Sequence, residues 1–213
     1  RGIASVVDCN DRWVYLDPER GSMSAVAEAA RNLSCVGAEP IAITNNLNFS
    51  SPEKSEGYWQ LSKSCQGITS ACKFLNTPVT GGNVSLYNDT KLSNSDVIPI
   101  HPTPVIGMVG LIEDVNKVCK KSWIKEDDQI WMLGIPLEIN NKKDSRISLS
   151  ASSFLEYIHG LKTGRPPEID LHLEKQVQLF LRSIIKKDLI NSAHDLGDGG
   201  LVVALSECCI SSG

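Results

Sequence analysis

The segment SMSAVAEAARNLSC, Ser22 to Cys35, narrows the folds open to this chain more than any other. Val26, Ala29, Ala30 and Leu33 fall at helical spacing, and the two alanines at the centre of that stripe leave it almost smooth. A helix with so little relief gains contact only by lying close to something flat, so its partner is expected to be a β-sheet. Gly37 and Pro40 supply a stop, and PIAITNNLNF then reads as a strand whose end runs into the turn-forming residues Asn45, Asn46 and Asn48.

A second amphipathic stripe, Tyr58, Leu61, Cys65, Ile68, Cys72 and Leu75, predicts a helix opening around Ser51-Pro52-Glu53. WVYLDPERG reads as a strand closed by a turn. TPVIGMVGLIED reads as a buried strand bounded by Pro104 and by Glu113-Asp114. The order strand, helix, strand, helix, strand, strand favours an α+β fold with helices on one face of a sheet. A domain boundary is expected near Asn116 to Ser122. Beyond it, DDQIWMLGIPL reads as a strand, Lys142-Lys143-Asp144 as a solvated turn, and SSFLEYIHG as a short helix before a Pro/Gly-rich loop. HLEKQVQLFLRSIIKKDLI predicts an amphipathic helix with Val177, Phe180, Leu181 and Ile184 inward. SAHDLGDGGLVVALSECC reads as a strand end, a glycine-rich loop and an apolar helix.

Composition removes several functions. A net charge of -4 and a pI near 5.6 give no basic field for a polyphosphate backbone, so nucleic acid is not an expected partner. No apolar run approaches the roughly 20 residues of a membrane span, and RGIASVVDCNDRW carries no signal-peptide pattern, so no membrane and a cytoplasmic location are expected. The seven cysteines are odd in number and lack CxxC or Cys/His metal spacing, which predicts reduced thiols. The absence of an initiating Met and the end at CCISSG, directly after a helical pattern, raise the expectation of a longer parent chain.

Three polar constellations remain. In TPVTGGNVSLYN, Gly81-Gly82-Asn83-Val84-Ser85 is either a tight hairpin or a loop whose bare N–H groups approach an anion. In the second case Asn83 offers an oxygen to a hard cation and Ser85 a hydroxyl to a ligand. In HDLGDGG, Asp198 either caps the following helix, or Asp195 binds magnesium or steers a substrate while the helix N-terminus favours a phosphate. Thr44 to Phe49 is either an Asx turn or a ligand-gathering strand terminus.

Taken in order, RNLSCVGAEPIAITNNLNF, SPEKSEGYWQLSKSCQGI, FLNTPVTGGNVSLYN and AHDLGDGGLVVALSE closely resemble the second half of the phosphoribosylformylglycinamidine synthases of purine biosynthesis, over nearly the whole chain. The resemblance implies an ATP-using carbon–nitrogen ligase. Formylglycinamide ribonucleotide is activated at its amide oxygen as an iminophosphate, and ammonia from glutamine displaces the phosphate. It implies ATP and Mg2+, with nucleotide contacts at Asn45 and Gly82, a substrate contact at Ser85, and metal ligands at Asn83 and Asp195. It implies a ferredoxin-like α/β sandwich domain at 1–116, then a truncated second α/β domain of the aminoimidazole ribonucleotide synthase-like type at 117–213. Implied partners are the N-terminal half of the same chain, a glutaminase subunit or domain and a small accessory subunit. The family's catalytic histidine lies in that other half, so this chain by itself is expected to have no synthetase activity. The family often has aspartate at the position of Asn45 and glycine at that of Ser50. The alternatives are another ATP-using enzyme of the superfamily, such as aminoimidazole ribonucleotide synthase, and a non-catalytic module that holds a nucleotide to brace its neighbour.

Overall fold

In a computed structural model the described residues are 1–93, 96–135 and 148–213. The chain begins with strand β1 (Gly2–Asp8), helices α1 (Asp11–Leu16) and α2 (Pro18–Cys35) and strand β2 (Glu39–Asn48). Helix α3 (Ser55–Leu75), strand β3 (Val79–Ser85), the small hairpin β4 (Asp89–Lys91) and β5 (Val97–Pro99), and strand β6 (Thr103–Ile112) follow. The second region contributes helices α4 (Ser153–His159), α5 (Leu171–Lys186) and α6 (Gly200–Ser212).

Four strands form one sheet in the order β1-β6-β2-β3. β6 is antiparallel to both its neighbours, while β2 and β3 run parallel and therefore end together. The smooth helix lies where its sequence predicts: Val26, Ala29, Ala30 and Leu33 pack with Ile43, Ile106 and Met108 of the sheet and with Ile68, Ala71 and Cys72 of α3. The α2–α3 crossing is equally close, because a Cβ built on Gly67 would stand 2.1 Å from the Glu19 carbonyl oxygen. The opposite face of the sheet carries no helix among the described residues. There Ile3 and Val7 alternate with the core-facing Ala4 and Val6.

Several expectations are corrected. WVYLDPERG is not a strand: Asn10 Oδ1 accepts from Trp13 N at 3.1 Å and Asp17 Oδ1 from Arg20 N at 3.1 Å, with Pro18 opening α2. Two such caps in succession outweigh the β-propensity of Trp13, Val14 and Tyr15, and the strand lies upstream in GIASVVD. α3 begins later than predicted, since Ser51 Oγ instead accepts from Glu53 N in a turn. Phe180 is 52% exposed, and the buried face of α5 is Gln178, Leu181 and Ile185. Within DDQIWMLGIPL, residues 127–135 form no strand, and Trp131 is 76% exposed. A strand requires a ladder partner, and residues 127–134 pair with no strand among the described residues. The Lys142-Lys143-Asp144 turn lies outside the described residues.

The two regions are joined by buried polar contacts. Arg12, 6% exposed, donates from Nε to Ala151 O at 3.0 Å, from Nη1 to Glu156 at 3.1 Å and from Nη2 to Ser153 Oγ at 2.9 Å. Arg31 pairs with Glu174 at 3.2 Å, and Cys35 and Cys119 share a small apolar cluster with Leu181 and Ile185. All seven cysteines are free. Burial above all pushes the Cys9 and Cys35 thiols up to about 12, which leaves them protonated and unreactive at neutral pH.

Candidate functional site at the ends of the parallel strands

GGNVS is part of an edge strand rather than a hairpin. Thr44 pairs with Gly81, Asn45 with Gly82, Asn46 with Asn83 and Asn48 with Ser85. This register places two of the sequence's polar constellations side by side at the carboxyl ends of parallel strands, where ligands of α/β sheets gather. The segments beyond the strands are tied together as well: Phe49 N donates to Ser85 O at 3.0 Å and Asn88 N to Phe49 O at 3.2 Å.

Strand alternation divides the set between two faces. Ile43 is core-facing and Leu47 packs against that core, so Asn45 and its neighbour Gly82 belong to the helix side. Asn46 and Asn83 lie on the open side, where Asn83 Nδ2 donates to Asn46 Oδ1 at 3.4 Å. Ser85, two residues further along, shares that side.

Gly82 has a specific reason to be glycine. Its built Cβ would lie 2.2 Å from Asn45 Oδ1 and 2.6 Å from Asn45 O, so any side chain there would displace the Asn45 amide. Gly81 has nothing within 4 Å of its built Cβ and is not required in the same way. The pair Asn45 and Gly82 therefore forms a cradle in which the bare Gly82 backbone makes room for the Asn45 amide.

Asp195 lies elsewhere. It accepts from His194 Nδ1 at 3.0 Å and is sensed electrostatically by Asp8, Glu28, Arg31 and Cys35, which belong to the end of β1 and to α2. It is thus grouped with the helical layer, and not with Asn83 on the open face. Asp198 does not cap α6, whose N-cap is Gly199 at φ +86; its carboxylate accepts from Ser153 Oγ at 2.9 and 3.0 Å. His194 bridges Asp195 to Glu207, which lies 2.6 Å from its Nε2.

Sequence reasoning passed over the companions of Asp195. Burial, with repulsion from Asp8, Asp195 and Asp198, pushes the Glu28 carboxyl up to about 7 against the pull of Arg31; burial also raises Asp8, against the Asn32 hydrogen bond. These acids lie far apart in the chain, and no motif unites them. Among the described residues, no group of three or more His, Cys, Asp or Glu is arranged to hold a metal ion.

A sheet covered on one face by close-packed helices, with two of its strands parallel, defines an α+β fold. Comparison with known proteins identifies its kind. Residues 1–112 match the model of the AIR synthase related protein N-terminal domain, and residues 125–213 that of the AIR synthase related protein C-terminal domain. The chain belongs to the AIR synthase related proteins. It is 82% identical over all 213 residues to phosphoribosylformylglycinamidine synthase subunit PurL of Prochlorococcus marinus strain NATL2A. It is 63% identical over 211 residues to the same subunit from strain MIT 9303. It spans 26% and 27% of the lengths of these relatives. Among solved structures, phosphoribosylformylglycinamidine synthase II from Thermotoga maritima aligns with 97% of this chain and 28% of its own, at a TM-score of 0.60 and 25% identity. T. maritima PurL complexed with AMPPCP aligns with 57% of this chain and 20% of its own, at a TM-score of 0.51 and 36% identity. No helix among the described residues is long and apolar enough to cross a membrane.

Proposed function

We propose that this chain is part of the ATP-dependent synthetase that converts formylglycinamide ribonucleotide, ammonia and ATP to formylglycinamidine ribonucleotide, ADP and phosphate. The observation that carries this reading is the 82% identity to a PurL subunit across all 213 residues. It is supported by the cradle in which Gly82 makes room for Asn45. Asn45 and Gly82 contact the nucleotide on the helix side of the strand ends. Ser85 contacts the substrate from the open side. Asn83 Oδ1, which takes no part in the bond to Asn46, supplies one oxygen to Mg2+, the remainder coming from nucleotide phosphates and from other parts of the polypeptide. Chemistry of this kind rests on placing two substrates and neutralising developing charge, which rigid strand ends suit. Asp195, grouped with Asp8 and Glu28, is a metal ligand only at a location separate from Asn83.

In this reading residues 1–116 form a ferredoxin-like α/β sandwich and 117–213 part of a second α/β domain. The N-terminal half of the same polypeptide, a glutaminase and a small accessory subunit complete a cytoplasmic assembly. A second reading is favoured by the neutral amide at Asn45 where the resembled family often has a carboxylate: this half holds a nucleotide that braces its neighbour without turning over.

Phosphate release separates them. The intact polypeptide containing this chain is given formylglycinamide ribonucleotide, ATP and Mg2+, with and without ammonium, beside its Asn83→Ala variant. Release that needs substrate and ammonium and collapses in the variant supports the synthetase reading with GGNVS in its active site. Release unchanged in the variant, with nucleotide retained on the protein, supports the bracing module. Release independent of ammonium moves the chain to another reaction of the superfamily.

A further inference from the structure

The hydroxyl that the proposed function assigns to the substrate is already held by a neighbour. Asn88 Nδ2 donates to Ser85 O at 2.8 Å and to Phe49 O at 3.2 Å, so its two hydrogens are directed at two main-chain carbonyls. Those carbonyls fix the orientation of the amide, because the flipped arrangement would set Oδ1 against both of them. Asn88 Oδ1 then faces Ser85 Oγ, which donates to it at 3.1 Å. Nδ2 is also 3.1 Å from Ser85 Oγ, but with both hydrogens engaged it has none left to give. Tyr87 enters the left-handed region at φ +62, which turns the chain back so that Asn88 reaches the strand end it has just left.

We propose that Asn88 is a positioning residue that fixes the polarity of Ser85: the serine's single hydrogen points inward to Asn88, and its lone pairs are presented to the ligand. Ser85 then accepts from an N–H or O–H group of the substrate and does not donate to a phosphate. This rests on the reading of Ser85 as a substrate contact. Loss of Asn88 frees the hydroxyl to rotate, which weakens binding of the ligand donor without touching the nucleotide cradle on the other face of the strands.

The test is steady-state kinetics of the intact polypeptide with Ser85→Ala, Asn88→Ala, the double variant and Asn88→Asp. Asn88→Ala is expected to raise KM for formylglycinamide ribonucleotide about tenfold, the scale of one hydrogen bond, with KM for ATP within about twofold. The double variant should be no worse than Ser85→Ala. Asn88→Asp keeps an acceptor for the serine but turns a carboxylate toward the carbonyls of Phe49 and Ser85, so it should lower Tm yet retain the wild-type KM. Additive losses in the double variant, an equal rise in the KM for ATP, or a raised substrate KM in Asn88→Asp overturns the proposal while leaving Ser85 in place. If Ser85→Ala itself leaves that KM unchanged, the substrate contact and its positioning fall together. Should Asn88→Ala not fold, the KM of Asn88→Asp decides.

Discussion

The first region, β1 to β6, and the second, residues 125–213, use similar sequence patterns and arrive at different degrees of closure. In the first, Val26, Leu33, Ile43, Ile106 and Met108 are each no more than 2% exposed. In the second, Ile130, Trp131, Tyr157, Val202 and Ile210 are each more than 60% exposed, and α6 buries only Ala204 and Cys208. Apolar periodicity is present in both. What differs is whether a complementary surface lies within the same stretch of chain, since a strand or an apolar helix gains nothing until a second layer covers it.

That contrast can be broken most strongly at the α2–α3 crossing. Gly67→Ala is expected to destabilise the chain by about 3 kcal/mol or more, because the backbone of Glu19 cannot move aside without opening the core. The midpoint of urea unfolding should fall accordingly, and a value near wild type would mean that the first region is not the rigid body its packing implies.

Arg12→Ala sharpens the comparison at the join. It removes the buried guanidinium that ties Ala151 O, Ser153 and Glu156 to the first region, while Ala151 O keeps Trp13 Nε1 at 3.0 Å and Glu156 keeps Lys162 at 3.2 Å; the cost is about 2 kcal/mol. Amide exchange should accelerate in 148–165 far more than in β2 or β6. Uniform acceleration would make the two regions a single cooperative unit.

A smaller effect is expected at Glu28. Its folded value of about 7 lies above the ordinary 4.5, so the folded state holds the proton more tightly than the unfolded chain. The associated stability is fully present below about pH 4.5 and is lost as pH rises through about 7. Glu28→Gln should therefore stabilise the chain at pH 8 by about 1 to 2 kcal/mol and flatten the pH dependence of Tm between 4.5 and 7. An unchanged pH profile would show that burial, with Asp8, Asp195 and Asp198 nearby, does not raise Glu28 as described. The smallest effect belongs to the second region: Trp131→Ser should alter the stability of this chain by less than about 0.5 kcal/mol, and a larger loss would reveal a buried role for that run.

Local code and tertiary context contributed unequally to what could be read in advance. The α2 stripe, the α3 stripe and the strand at Thr103–Ile112 were legible because each pattern reports a face that its own region covers. The helix at Asp11–Leu16 was not, because a cap formed by Asn10 outweighed β-branched and aromatic propensity. At the candidate site, residue type marked the stretches Thr44 to Phe49 and Gly81 to Ser85, and the family resemblance singled out Asn45, Gly82, Asn83 and Ser85 within them. Their division between two faces could not, because it follows from the parallel register of β2 with β3. The acidic neighbours of Asp195 were equally hidden: Asp8 and Glu28 come from segments more than 160 residues away in the chain.

By itself the sequence determined the α+β class, the close helix-on-sheet packing and the residue types at the strand ends, all of which follow from side-chain size and spacing along one segment. Only the tertiary structure decided which amide faces which glycine, that Asn88 holds Ser85, and that Asp195 stands apart from Asn83. Those depend on register between strands and on charges meeting across layers, and neither is encoded in any single stretch of chain.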